Sequence, residues 1–269
     1  MNNPPIEQTP QEIAPEDLPS LKGKVSEEEW RLRCDLAATY RLVQLFGWDD
    51  LVFTHISVRL PDEDGEARFL INPYGIYFEE MTASSLLKID LKGNKISDSP
   101  YTANAAGFTI HSAVHEVRHD AGCVLHLHSR YGIAVSASEG GLRRLSQHSM
   151  QVYDDLAYHD YEGIAFNLEE RERLQADLGA HSLLMLRNHG TLTTGPNCAI
   201  AFARMYYLER ACEIQVLAQS AGAVREESEE MTNLVGKQSA PLWIQGLGDK
   251  LVWPGLIRRL QRELPGWDV

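Results

Sequence analysis

Residues 123–129 read CVLHLHS, a stretch that places two histidines one residue apart within an apolar run. Successive side chains of a β-strand point to opposite faces of the sheet. His126 and His128 should therefore point to one face, and Leu125 and Leu127 to the other. This pattern predicts a strand with one apolar face and one face carrying two imidazoles. The imidazoles are either metal ligands or polar groups that hydrogen-bond at the surface.

A third histidine changes the balance between these alternatives. His189 lies in MLRNHGTLTTG (185–195), after an apolar strand-like segment and before a glycine. Side chains at strand ends commonly face clefts. Imidazole is the commonest metal ligand in proteins, and three neutral imidazoles leave an open coordination position, as in catalytic sites. The spacing alone leaves open whether His189 reaches the pair.

The rest of the chain alternates helical and strand-like segments. Ser26 and Glu29 form a capping-box pattern before an amphipathic run that ends at Gly47. Short alternating segments separated by turns follow, and helices are expected at about 168–179 and 197–220. Hairpins interleaved with helices predict an α/β fold with a largely antiparallel sheet and helices on its faces.

Composition limits the partners of the protein. The 269 residues carry a net charge of −13, which argues against nucleic acid or an anionic membrane as the main partner. No apolar run approaches the roughly 20 residues of a membrane span, and residues 1–19 lack the features of a signal peptide. Four cysteines lie far apart without a CxxC motif, so we expect reduced, buried thiols in a cytoplasmic protein.

We expect one folded domain. Residues 1–24 are rich in Pro, Glu and Gln and predict a disordered or loosely packed tail. The domain is expected over 25–225. Residues 226–269 are expected to form a linker and a terminal helix, near 251–264, that packs on the same domain.

Several segments together resemble the class II aldolase/adducin family over roughly residues 27–220. The resemblance is carried by HLHS (126–129), NHG (188–190), GWDDLVFTHISVRL (47–60), FLINPYGIYFEEMTASSLLKIDLKGNK (69–95) and LERACEIQVLAQ (208–219). It implies a three-layer α/β/α fold and a divalent metal on His126, His128 and His189. Zinc is the first expectation, with manganese or iron as alternatives. It also implies a homo-oligomer, commonly a tetramer with active sites between subunits.

The sequence departs from the sugar-phosphate aldolases of this family in the residues that bind phosphate and move protons. Their catalytic Glu, nineteen positions before the first ligand histidine, corresponds to Gly107, and their Ser-Ser pair corresponds to Ala105 and Ala106. Their phosphate-binding Asn corresponds to His55, and a loop Thr to Tyr74. Alanine side chains offer no donor to a phosphate. We therefore expect a non-phosphorylated substrate, as in the adducin-like branch that lacks the catalytic Glu.

Without that Glu, proton transfer is expected from water, His55 or Tyr74. Contacts with the substrate are expected from Arg59, Asn72 and Gly75. For Arg59 two roles stay open, since it could orient a substrate carboxylate or tie loops together.

His111 lies one helical turn after Gly107 on the same face. It is either a fourth ligand or neighbour of the metal, or a histidine that hydrogen-bonds within the fold. His159 lies in a polar context and is expected at the surface.

These expectations favour a divalent-metal-dependent lyase. Retro-aldol cleavage and decarboxylation both need a cation that stabilises developing negative charge on oxygen. The substrate would be a small, non-phosphorylated carbonyl or carboxylate compound. Two alternatives remain at this stage: a non-haem iron oxygenase on the same three histidines, and a non-catalytic, adducin-like interaction protein.

Overall fold

The computed structural model describes residues 13–103, 105–163 and 169–269. The described residues form seven strands: β1 His55–Glu63, β2 Glu66–Ile71, β3 Leu87–Asp90, β4 Cys123–Leu127, β5 Leu156–His159, β6 Leu183–Leu186 and β7 Gly190–Gly195. They also form eight α-helices: α1 Glu27–Leu45, α2 Ala105–Val117, α3 Arg130–Ser136, α4 Gln147–Val152, α5 Glu170–Leu178, α6 Cys198–Ser220, α7 Glu229–Ile244 and α8 Trp253–Glu263.

All seven strands belong to one sheet, in the order β3-β2-β1-β4-β7-β6-β5. Every neighbouring pair is antiparallel except β5 and β6, which are parallel. The expectation of a largely antiparallel sheet is confirmed. Strand β4, which carries the histidine pair, lies at its centre between β1 and β7.

Helices cover both faces of this sheet. Leu125 and Leu127 of β4 pack into a core that includes residues of α1, α6 and α8. Val124, which points the other way, packs with residues of α2 and α5. Alternate side chains of β4 therefore pack into two separate cores, one on each face of the sheet. The three-layer α/β/α architecture is confirmed.

Helix α1 begins as the capping pattern predicts, but only half of the box forms. The Ser26 side chain accepts a hydrogen bond from the Glu29 backbone N–H at 3.1 Å. The Glu29 carboxylate instead pairs with Arg33 at 2.8 Å and Lys88 at 3.2 Å. Arg33 is 1% exposed, and a buried guanidinium requires a counter-charge. The Glu29 carboxylate therefore pairs with Arg33 rather than with the N–H groups at the helix N-terminus.

The described part of the N-terminal segment is attached to the domain. The Ile13 carbonyl accepts a hydrogen bond from the Tyr101 hydroxyl at 2.7 Å, and the Leu21 N–H donates to Ser84 Oγ at 3.1 Å. Residues 1–12 of the predicted tail lie outside the described residues.

The C-terminal segment differs from the predicted linker, because residues 229–244 form helix α7. Ser228 caps this helix by accepting a hydrogen bond from the Met231 N–H at 3.1 Å. Beyond α8 the chain packs back on the domain: Trp267 is buried, and its carbonyl accepts a hydrogen bond from the Ala83 N–H at 2.7 Å.

All four cysteines are free, as expected. Three of them are buried, whereas Cys34, also expected to be buried, is only partly so. Across the described residues, no helix is both long enough and apolar enough to cross a bilayer.

Candidate metal centre

The centre of the sheet positions two of the predicted ligands. His126 is 2% exposed and His128 is half-buried at the end of β4, on the face that α2 and α5 cover. Their rings lie 4.9 Å apart between centroids.

The third histidine reaches the pair through strand pairing. His189 lies in the tight turn between β6 and β7, where its N–H donates to the Leu186 carbonyl at 3.1 Å. Strand β7 pairs with β4 so that Thr191 faces Leu127. This register places His189 Nε2 2.9 Å from His128 Nε2.

The three imidazoles can share one ion. One ring nitrogen from each of His126, His128 and His189 lies within 4.8 Å of the others. Two nitrogens on a tetrahedral zinc at the usual bond length are about 3.3 Å apart. The spacing of the three rings therefore suits a single cation.

Hydrogen bonds from the other ring nitrogens set the direction of the lone pairs. His126 Nδ1 lies 3.0 Å from the Thr191 carbonyl, and His128 Nδ1 lies 3.0 Å from an Asp50 carboxylate oxygen. Each Nδ1 must donate to such an acceptor, which leaves the lone pair on Nε2. The Nε2 lone pair of His128 lies 2.9 Å from His189 Nε2, a separation that requires a proton or a cation between the two nitrogens. The donor set therefore fits a metal.

Burial and the neighbouring imidazoles keep two of the three rings, His126 and His189, uncharged. Burial, and then the neighbouring His189 and His128, hold the pKa of His126 well below its usual range. Burial, followed by the charge of His128, lowers the pKa of His189 to about 4. Both rings are neutral at pH 7, which is the form that binds metal.

Strained backbone surrounds the site. Four non-glycine residues in the described part of the chain have positive φ, and one of them, Asp64, lies in the β1–β2 turn. The other three each adjoin a residue of the centre, namely Leu51 beside Asp50, Thr54 beside His55 and Asn188 beside His189. Such conformations cluster at functional sites because they aim side chains in directions that relaxed backbone cannot reach.

His55 lies beside the three histidines. It is the cross-strand partner of His126, so both side chains are on one face. It is 8% exposed, and burial together with the nearby imidazoles of His111, His128 and His189 holds its pKa well below the usual range.

His111 belongs to a separate buried chain of polar groups. Ser57 Oγ lies 2.7 Å from His111 Nδ1 and 2.7 Å from His115 Nε2, and all three residues are fully buried. Within the described residues, His111 Nε2 has no hydrogen-bond partner and the ion-sharing group contains only the three other histidines. His111 approaches that group through His55, with ring centroids 5.8 Å apart.

Two predicted substrate residues make contacts within the fold. Arg59 donates to Asp62 at 3.0 Å and to the His115 carbonyl at 3.3 Å. It lies four residues from His55 along β1, a distance of about 13 Å. Asn72 accepts a hydrogen bond from the Tyr40 hydroxyl at 2.8 Å. These contacts favour a structural role for both residues.

The loop after β2 carries the other two predicted residues. The Tyr74 N–H donates to the Thr102 carbonyl at 2.8 Å, and Gly75 has φ of 89°, which suits glycine. Their roles in catalysis and substrate binding stay predictions.

Sequence reasoning missed several residues around the centre. Asp50 contacts a ligand, and the Tyr161 ring lies 6.3 Å from that of His189. His159 is buried rather than at the surface, because α5 packs on β5 and covers it, and its Nδ1 pairs with Asp177 of α5 at 2.7 Å. Only the paired acids at 49–50, before a strand, could have drawn attention to Asp50.

Comparisons with known proteins identify the family of this chain. The family described as "Class II Aldolase and Adducin N-terminal domain" matches residues 34–216. A Caulobacter vibrioides protein, provisionally named as an aldolase class 2 protein, is 56% identical over 254 residues, 92% of this chain and 96% of its own. Mouse alpha-adducin is 45% identical over 196 residues, 71% of this chain but only 26% of the adducin.

A solved structure extends the likeness to an enzyme fold. The L-fuculose 1-phosphate aldolase of Glaciozyma antarctica superposes with a TM-score of 0.75 and 29% identity, covering 93% of this chain and 97% of the enzyme. The chain therefore belongs to the class II aldolase/adducin family.

Proposed function

We propose that this protein is a divalent-metal-dependent lyase that cleaves a carbon–carbon bond by retro-aldol reaction or decarboxylation. The observation that carries the proposal is the convergence of His126, His128 and His189 within 4.8 Å. The hydrogen bonds to Thr191 and Asp50 support it, because they leave the lone pairs of His126 and His128 on Nε2, the nitrogens free to bind a metal. A bound divalent cation would supply Lewis acidity toward a substrate oxygen.

Zinc is the first choice among the metals. Three neutral imidazoles with an open position are typical of catalytic zinc, although manganese and iron accept the same ligands.

His55 is proposed to transfer the proton. It is a neutral imidazole beside the ligand set, directly opposite His126. In a retro-aldol step, His55 would take the proton of the substrate hydroxyl as the carbon–carbon bond breaks. The same ring would then return that proton to the carbon that receives the bonding electrons. Tyr74 is kept as the alternative proton donor.

The substrate is proposed to be a small carbonyl or carboxylate compound without phosphate. The sequence offers Ala105, Ala106 and Gly107 where the sugar-phosphate enzymes of this family carry two hydroxyls and a carboxylate. A phosphate dianion requires several donors, so the lost hydroxyls favour a less charged substrate.

The test is turnover by purified, metal-loaded protein. Hydroxy-keto acids and aromatic carboxylic acids would be assayed for release of aldehyde or CO₂. The metal is expected to stabilise the transition state by several kcal/mol. Its loss in His126→Ala should therefore lower kcat/KM at least about 100-fold. The matched control is His119→Ala, which removes an exposed imidazole. Wild-type turnover by His126→Ala would exclude this site.

The relation to adducin favours one alternative, a non-catalytic interaction protein. Alpha-adducin shares 45% identity over the region that contains all three histidines. Absence of turnover in metal-loaded protein across both substrate classes would favour this alternative. Dependence of turnover on dioxygen, measured by comparing aerobic and anaerobic assays of iron-loaded protein, would instead indicate an oxygenase.

Assembly, location and domain limits are also part of the proposal. The family membership supports a homo-oligomer, with a tetramer as the first expectation, and light scattering coupled to gel filtration tests it. A cytoplasmic location and a domain over 25–225, onto which the C-terminal helices pack, complete the proposal.

A further inference from the structure

A buried carboxyl that the reaction does not use lies beside the metal centre. Glu209 on α6 is 2% exposed, although glutamate is rarely buried unless it is paired. Its Oε1 accepts a hydrogen bond from Thr191 Oγ1 at 2.9 Å, and its Oε2 accepts one from Ser129 Oγ. The Gly132 backbone N–H is a third donor to this carboxyl. All three donors are neutral, so no cation in these contacts compensates the buried acid.

The two partners belong to the segments that carry the ligands. Ser129 directly follows His128 and caps α3 by accepting a hydrogen bond from the Gly132 N–H at 3.1 Å. Thr191 follows His189 by two residues, and its carbonyl is the 3.0 Å partner of His126 Nδ1. One carboxyl therefore connects the chain positions that set all three imidazoles.

This junction has no spare room. A Cβ added to Gly132 would lie 2.5 Å from Ser129 Oγ, 2.8 Å from Glu209 Oε1 and 2.9 Å from Thr191 Cγ2. Three side chains thus converge on the backbone of α3. Close packing of this kind fixes rotamers, which is what a ligand set needs to hold its geometry.

The charge of Glu209 is consistent with a structural connection. Burial raises its pKa to about 7, while the hydrogen bonds from Ser129, Thr191 and the Gly132 N–H oppose the rise. The carboxylate accepts from both hydroxyls, and the protonated acid can donate to one of them. The connection to both ligand segments survives in either form.

We infer that Glu209 is a positioning residue for the metal ligands: it holds Ser129 and Thr191 so that the three imidazoles converge. The inference rests on the metal site of the proposed function, but not on the lyase reaction. Residues that orient metal ligands typically contribute 10- to 100-fold to metal affinity.

The test measures metal binding rather than turnover. Zinc affinity of the full chain would be measured by competition with a chromophoric chelator, and ligand geometry by the visible spectrum of the Co²⁺-substituted protein. Glu209→Ala should bind zinc about 10- to 100-fold more weakly and change the Co²⁺ spectrum. Glu209→Gln should stay within about threefold of wild type, because an amide accepts one hydrogen bond and donates another.

Two further variants keep the test decisive if Glu209→Ala fails to fold. Thr191→Val removes only the hydroxyl and keeps the carbonyl that His126 uses, and Gly132→Ala displaces the junction without changing any ligand. Both should weaken zinc binding. The matched control is Glu213→Gln, one turn further along α6, where the carboxylate pairs with Arg210 at the surface.

The outcomes separate this inference from the proposed function. Wild-type zinc affinity and an unchanged Co²⁺ spectrum in the folded variants would overturn the role of Glu209. Zinc binding by the wild-type protein without lyase turnover would overturn only the proposed function. Absence of zinc binding by the wild-type protein would overturn both.

Discussion

The buried His111–Ser57–His115 chain should make the protein sensitive to mild acid. Burial is the main cause that lowers the pKa of each imidazole to about 3, from an ordinary value of 6.5. The charge of His115 adds to the effect on His111, and the charge of Arg59 adds to that on His115. Both rings are fully buried and share one serine hydroxyl.

The sign follows from comparing the two states. The unfolded chain binds protons on these histidines below about pH 6.5, while the folded protein resists them until about pH 3. The free energy of unfolding therefore falls as the pH drops through this window, and it is unaffected by the pair above it. Between pH 7 and pH 5 each ring should remove about 2 kcal/mol, and the pair about 4 kcal/mol.

Urea unfolding of the metal-free protein at pH 7 and pH 5 measures this loss. Chelator removes any stabilisation by bound metal. His115→Gln eliminates one titrating ring and should reduce the loss between the two pH values by about 2 kcal/mol. The variant should be less stable at pH 7, because the ring also packs on Phe69 with centroids 4.6 Å apart. His119→Gln, at an exposed position, is the control. If His115→Gln lost as much free energy of unfolding between pH 7 and pH 5 as the wild type does, the reasoning would be refuted.

Two further outcomes follow from the contacts described above. Asp50→Asn should weaken zinc binding about 10- to 100-fold, because the charged acceptor of His128 Nδ1 is lost. The control Asp49→Asn should bind zinc like the wild type. Equal zinc dissociation constants for Asp50→Asn and the wild type would contradict this role of Asp50. Phe202→Ala should lower the free energy of unfolding by about 3–5 kcal/mol, because the ring is fully buried. In the same urea measurement, Phe53→Ala should change the free energy of unfolding by less than about 0.5 kcal/mol, because Phe53 is 44% exposed.

Local sequence patterns predict the parts of the site that one strand determines. The alternation in CVLHLHS is enough to place His126 and His128 on one face and two leucines on the other. The approach of His189 depends on the pairing of β7 with β4, which joins residues more than 60 positions apart. The spacing of the histidines contains no information on that register, so the third ligand is predicted only from the resemblance to the family.

Tertiary contacts explain where the structure differs from the sequence-based predictions. Asp50 reaches a histidine 78 positions later in the chain, and His159 is buried because α5, which carries its partner Asp177 18 positions later, packs on β5. Helix α7 contains a glycine and a proline, which lower its intrinsic propensity, so the segment resembled a linker. Its Ser228 cap and its packing beside α4 provide the stability that the sequence lacks.

The energetic cost of the centre argues that it does more than complete a fold. Left-handed backbone at a non-glycine residue costs about 1–3 kcal/mol, and three such residues adjoin the centre: Leu51, Thr54 and Asn188. Their sum of roughly 3–9 kcal/mol is a large fraction of the net stability of a domain, which is about 5–15 kcal/mol. Glycine at these positions would relieve the strain. A protein that used this surface only for passive packing would gain stability from relaxed backbone and apolar side chains here. The strain is consistent with selection for the directions in which Asp50, His55 and His189 point, and those directions suit the proposed ion-binding geometry.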